Sequence, residues 1–293
     1  MRGITRDRIT AIAMLMPSVI AIAIFVYGFI AWSGYVSMSK WDGLRPDLTF
    51  VGLHNFSRLF NHVRFQADIR NTITFTGLFL AACLIIGFLL AILLDQHIVG
   101  ENIFRSIFLF PMAVSFIMTG VVWRWLMAPS AGINLLFDAV GLDFLKSGWY
   151  TDPNVGIKAV VVAATWQMSG FVMALYLAGL RSIPEELREA ARVDGASELQ
   201  VIRHIVLPLL QPVTLSAIII LGHISLKIFD LVAAMTKEGP GFSTDVPAYF
   251  MFVTTFQGDH FAQGAAIAIL MLIAVSLLVI PYLVYSVRTE AEL

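Results

Sequence analysis

The chain has 293 residues, of which 58% are hydrophobic and 13% charged, with 19 Lys+Arg against 20 Asp+Glu. A soluble domain carries about 25% charged residues, and one this apolar could not keep its hydrophobic surface from water. That excludes a soluble enzyme, a disordered tail and, with Cys83 as the single cysteine, a disulfide scaffold; the net charge of −1 supplies no basic field for nucleic acid. The six histidines form no HExxH or other metal-ligand spacing, so no metal site is expected.

Residues 10–39 contain no Asp, Glu, Lys or Arg. Arg2, Arg6 and Arg8 precede the run as they would in a secretory leader, but it is about twice the usual ~7–15-residue leader core. A membrane helix over 11–36 is predicted. Residues 37–69 mix Gly, Pro, Asp and Trp irregularly and read as a surface segment. The runs 71–94 and 106–123 are again uncharged and predict helices over 70–94 and 105–127, joined by a short turn at 95–104. Residues 128–156 form a second surface segment. The run 159–180 predicts a helix over 157–180, and 261–287 one over 261–286. The fifth apolar run, 209–226, continues to about Met235 with Lys227 and Asp230 inside it, predicting a helix over 209–236. About 20 apolar residues cross a ~30 Å hydrocarbon core as a helix, and there is no alternation of the β-barrel kind. The expected fold is an all-α integral membrane protein, one domain over 1–293 with six transmembrane helices. Lys and Arg divide evenly between the two sets of loops, so the positive-inside rule leaves the orientation tied.

The loop 181–208 differs from the others. Nine of the chain's charged residues fall between Arg181 and Arg203. Ser182-Ile183-Pro184-Glu185 reads as a capping box with proline in the first turn. Residues 185–194 are good helix formers, Gly195 suits a left-handed turn, and Ser197-Glu198-Leu199-Gln200 reads as a second capping box. Pro208 ends or kinks the second helix before the next span. Two separately capped helices exceed what a connector needs and suit docking onto another protein.

This loop carries a family resemblance. Glu189-Ala190-Ala191, three residues, Gly195, nine residues, Ile205, one residue and Leu207-Pro208 resemble the signature of ABC-importer permeases at every position. GLHNFSRLF at 52–60, Asn71-Thr72 at the start of the second span, FRSIFLFP at 104–111 and FDLVAAMTKEGPGFST at 229–244 are similar to the carbohydrate-uptake branch. Glu238 departs from the glycine common there. The resemblance implies a cytoplasmic coupling helix pair over 182–207, with Glu189, Ala190, Ala191, Asp194, Gly195, Ile205, Leu207 and Pro208 as the ATPase-coupling residues. It implies a second, non-identical permease subunit in a heterodimer, an ATPase dimer inside and a sugar-binding protein outside. It implies a bacterial or archaeal cytoplasmic membrane, with both termini cytoplasmic and residues 37–69, 128–156 and 237–260 on the outer side.

The chain has no P-loop, because none of its lysines, at 40, 146, 158, 227 and 237, follows a glycine. It is expected to hold no cofactor and no catalytic residue, ATP and Mg belonging to the partner ATPase. Polar residues inside spans are candidates for the substrate pathway. At ~1.5 Å per residue, Trp166 and Gln167 sit roughly 14 Å into the fourth span. By the same measure Thr119 is roughly 21 Å along the third span, and Lys227 and Asp230 roughly 27–32 Å along the fifth. His223, Lys227 and Asp230 follow i, i+4 and i+7, one helix face. An aromatic face and such polar groups suit a sugar. Alternatively, Lys227 and Asp230 form an ion pair, Trp166 is an interface anchor and Thr119 bonds its own backbone. Resemblance around GVVWRWL at 120–126 favours a glucose- or mannose-like monosaccharide. Oligosaccharides and glycerol-phosphate compounds are the alternatives, and a secondary transporter, for which no internal repeat is visible, is a more distant one. No catalytic constellation supports a membrane-embedded enzyme.

Overall fold

The computed structural model describes residues 6–96 and 98–291, and side chains within 11–96 and 98–284. Arg2 of the basic N-terminal group lies outside the described residues. The helices in chain order are α1 (Arg6–Ile22), α2 (Phe29–Ser37), α3 (His54–Phe60), α4 (Val63–Asp95), α5 (Glu101–Leu109), α6 (Phe116–Leu126), α7 (Ile133–Ala139) and α8 (Gly156–Ser182). They continue as α9 (Glu185–Val193), α10 (Glu198–Val201), α11 (Leu207–Leu209), α12 (Gln211–Leu226), α13 (Asp230–Met235), α14 (Pro247–Phe252) and α15 (Phe261–Ala291). Among the described residues the only β pairing is an isolated bridge between Ser39 and Phe50. Among the described residues, four helices are long and apolar enough to cross a membrane, and up to six if two bent pairs each count as one span.

Those bent pairs correct the sequence expectation. The predicted helix over 105–127 is broken, with a 98° bend between its two parts. Pro111 falls in a single 3-10 turn over Phe110–Ala113, and Ser115 restarts the helix by accepting the Met118 N–H at 3.2 Å. The predicted helix over 209–236 bends 64° where α11 meets α12, beside Pro208 and Pro212. It breaks again after Leu226, because residues 227–229 leave helical geometry before Asp230 opens α13. The break leaves Lys227 exposed in this chain.

The described chain forms two compact units. One comprises residues 1–62 and 251–273. Its extended segment after α2 is held by paired backbone bonds, Lys40 to Thr49 and Val51 to Met38, and Asn55 donates its amide to the Ser37 and Ser39 carbonyls at 2.9 and 2.8 Å. Trp41 packs on Phe261 with ring centroids 5.0 Å apart, and Asp42 pairs with His260.

The other unit comprises residues 63–250 and 274–293. Its core is the seam between α4 and α8, where glycines let backbones approach. A Cβ on Gly87 would lie 2.7 Å from the Val172 Cβ, and, where α8 meets α5, one on Gly170 would lie only 1.8 Å from the Phe108 carbonyl oxygen. Hydroxyl pairs join α12 to the seam: Thr76 to Ser225 at 2.9 Å and Tyr176 to Thr214 at 3.0 Å. Small residues and polar pairs are what hold helices together where lipid supplies no hydrophobic drive.

Candidate partner-docking site

The charged loop after the fourth span folds as two short helices standing out from the seam. α8 runs on through Ser182, whose hydroxyl donates to the Gly179 carbonyl at 2.7 Å. The first predicted capping box therefore does not form: its serine is still part of the preceding helix, and α9 begins after Pro184 without a side-chain cap. The second capping box does form, with the Ser197 N–H donating to Gln200 Oε1 at 2.7 Å. Gly195 joins the helices at φ +85°, and no other atom lies within 4 Å of where its Cβ would be. Gly195 is thus required by backbone conformation rather than by a close approach of the two helices.

Of the coupling residues inferred from the resemblance, Glu189, Ala190, Asp194, Gly195, Leu207 and Pro208 are exposed, and Ala191 and Ile205 half-buried. The loop also presents apolar side chains uncovered by the rest of the described chain: Val193 is 87% exposed and Leu199 74%. Around them run ion pairs in open water, Arg192 with Glu198 at 2.8 Å and with Glu185 at 3.5 Å. Together these pairings hold the Arg192 guanidinium above its ordinary pKa, Glu198 contributing most. Behind the module lies a cleft of about 650 Å³ lined by Asp95, Ile183, Arg188 and Glu198 among others.

Sequence reasoning missed the anchors of this module. Arg188 reaches back to Asp95 at the end of α4, Nη1 to carboxylate at 2.7 Å, and its Nη2 donates to the Leu180 carbonyl at 2.9 Å. Arg181 pairs with Glu101 at the start of α5, 2.6 Å away. The available signal was Asp95, the first charge after the uncharged run 71–94.

The substrate-pathway candidates separate. Gln167 is buried, and its amide donates to the Val114 carbonyl at 2.6 Å, satisfying a backbone group freed by the break between α5 and α6. Thr119 is buried in α6 beside Gly120, where a Cβ would come within 2.8 Å of Ala234 on α13. Trp166 is 39% exposed and meets Trp123 edge to face at 6.0 Å. His223 is half-buried on α12 and Asp230 exposed on α13. With the helix interrupted between them, His223, Lys227 and Asp230 do not share a continuous helical face. No group of three or more His, Cys, Asp or Glu suited to a metal ion occurs among the described residues.

Comparison with known proteins assigns this architecture. Residues 83–288 match the family described as "Binding-protein-dependent transport system inner membrane component". The chain is 45% identical over 280 residues to a Pyrococcus horikoshii protein named "Probable ABC transporter permease protein", covering 95% of this chain and 96% of that one. It is 34% identical to the xylose/arabinose import permease of Haloferax volcanii, covering 92% of this chain and 85% of the relative. It is also similar, at TM-score 0.79 and 25% identity over 94% of each chain, to a chain in the crystal structure of a bacterial alginate ABC transporter in complex with an alginate pentasaccharide-bound periplasmic protein. The chain belongs to the binding-protein-dependent transport inner-membrane family, as a multi-pass permease of the sugar ABC importer kind.

Proposed function

We propose that this chain forms half of the translocation pathway of an ATP-driven sugar importer, paired with a related permease and coupled through α9 and α10 to an ATPase on separate chains. The observation that carries the reading is a solvated helix pair exposing Val193 and Leu199 among charges, with nothing in the described chain to cover them. Singly exposed apolar residues are ordinary, but two on adjacent short helices joined by a left-handed glycine make a shaped knob. In this reading Glu189, exposed and in no ion pair among the described residues, meets the ATPase. The module then lies in the cytoplasm with both termini, and the loops after α2 and α6 face outward to a sugar-binding protein. The periplasmic partner of the alginate transporter supports that last assignment.

For the cargo, the xylose/arabinose relative supports a monosaccharide, and the alginate transporter supports an oligosaccharide as the second reading. A ligand screen on the cognate binding protein decides between them. Of the six pathway candidates, Trp166, Lys227 and Asp230 are exposed and His223 half-buried, and these four are the first to substitute in uptake assays.

The coupling reading is tested by Gly195→Val in the assembled transporter. A Cβ-branched residue at φ +85° is strained, so α9 and α10 change their mutual angle. The ATPase should then fail to co-purify, or sugar uptake should be lost, with the chain still in the membrane. Wild-type uptake by Gly195→Val, or uptake by this chain alone in liposomes, overturns the proposal.

A further inference from the structure

α4 is anchored at both ends and carries no charge between residues 71 and 94. At one end Asp95 takes Arg188, and the same guanidinium holds the Leu180 carbonyl near the end of α8. One side chain of α9 therefore grips the ends of both seam helices. Each partner's side chain is only 13% exposed, so water and salt screen the pair weakly, and removing one partner leaves the other desolvated and unpaired.

At its other end α4 grips the segment after α13. Arg64 donates Nε to the buried Asp245 carboxylate at 2.5 Å and lies over the Phe250 ring, 4.5 Å from its centroid. Asn71 donates to the Phe242 and Asp245 carbonyls at 2.7 and 2.9 Å. Asp68 is fully buried on the same side of α4. Between these anchors, the Gly87 contact on Val172 leaves no slack against α8. The 33 residues of α4 reach ~50 Å at ~1.5 Å per residue.

We propose that α4 is a rigid strut that carries displacement of α9 to the segment around Asp245 near the other end of the bundle, with Arg188 the positioning residue that engages it through Asp95. The proposal rests on the reading of α9 and α10 as the ATPase-docking module. It makes the far loop, rather than the module's immediate neighbours, the place where ATPase closure is felt. The interlocked seam is what makes this physical: packed helices move as bodies and do not deform continuously.

The test uses the complete transporter in proteoliposomes, with its ATPase, second permease and binding protein. Arg188→Gln and Asp95→Asn should each lower sugar taken up per ATP hydrolysed by roughly fivefold or more. The double variant should be no worse than either single one, because both remove the same contact. Ser106→Ala, which removes only an exposed hydroxyl bonded to the Asn102 carbonyl one turn back on α5, should leave the ratio unchanged. Wild-type ratios in both single variants, or additive losses in the double, overturn the strut. Should the charge variants fail to assemble, spin labels at Val63 and Gln96, the first residue of α4 and the residue after its last, give the second measurement. Their separation should stay constant across nucleotide states, and a change of a helical turn, about 5 Å, overturns the proposal. If Gly195→Val keeps the ATPase and full uptake, the docking reading itself has failed. If Gly195→Val uncouples and Arg188→Gln does not, only the strut has failed.

Discussion

The helix pair α9–α10 and the Asp245 anchor of α4 use the same kinds of residue in opposite ways. Around α9 and α10, Glu185, Glu189, Arg192 and Glu198 are exposed, and the pairings of Arg192 with Glu185 and Glu198 lie in water. Around Asp245, the Arg64 contact, Asp68 and Asn71 are buried, and the donors go to carbonyls and a carboxylate of one loop. Burial pushes the Asp245 carboxyl above its ordinary range, while the Arg64 guanidinium pulls it back. The glycines divide the same way: Gly195 has open space and needs only its positive φ, whereas Gly170 has no space at all. A charge displayed in water is available to a partner, whereas a charge sealed against backbone fixes a loop.

The strongest way to break this contrast is to fill the closed region. Gly170→Val puts a side chain onto the Phe108 carbonyl, a contact that rotamer changes cannot relieve. Folded, monodisperse protein should be lost, as size-exclusion chromatography in detergent would show; normal yield would mean the seam is looser than its geometry. Asp245→Asn comes next. It strips a buried guanidinium of its counter-charge, at about 3–5 kcal/mol for a pair of this kind, and should lower the thermal midpoint of the detergent-solubilised protein.

In the open region the effects on stability shrink while those on coupling persist. Val193→Asp should leave the melting temperature unchanged yet weaken ATPase binding, measurable by co-purification; undiminished binding would remove Val193 from the docking surface. Gly195→Asn should keep more uptake than Gly195→Val, because asparagine tolerates left-handed backbone. Arg192→Gln should not change the melting temperature, since its ion pairs are solvated. A measurable loss of stability there would show that the module is held internally as the buried anchor is.

The fold class was legible because it depends on a property that sums along the chain. Uncharged runs of membrane-spanning length identify membrane helices regardless of packing. The conformation of the 181–208 loop was legible for a related reason: a left-handed glycine and a capping box are local requirements, and Gly195 and the Ser197–Gln200 box meet them within a few residues. The first capping box failed because α8 ran past its expected end into Ser182, a boundary that helix packing decides.

The pathway residues were harder to read, since facing and depth were inferred from straight helices. The 98° and 64° bends invalidate that ruler for Thr119, Lys227 and Asp230, whereas α8, which carries Trp166 and Gln167, is continuous. Gln167 has the chemistry of a sugar ligand in any sequence, but here it satisfies the Val114 carbonyl at the bend. The sequence by itself determined that this chain is a membrane protein with a charged loop of two short helices, because hydropathy and turn chemistry act over short range. Only the tertiary structure decided which charges stand in water and which close the interior. The contacts that make the distinction, Arg188 to Asp95 and Arg64 to Asp245, join residues far apart in the chain, and burial by the surrounding helices sets their strength.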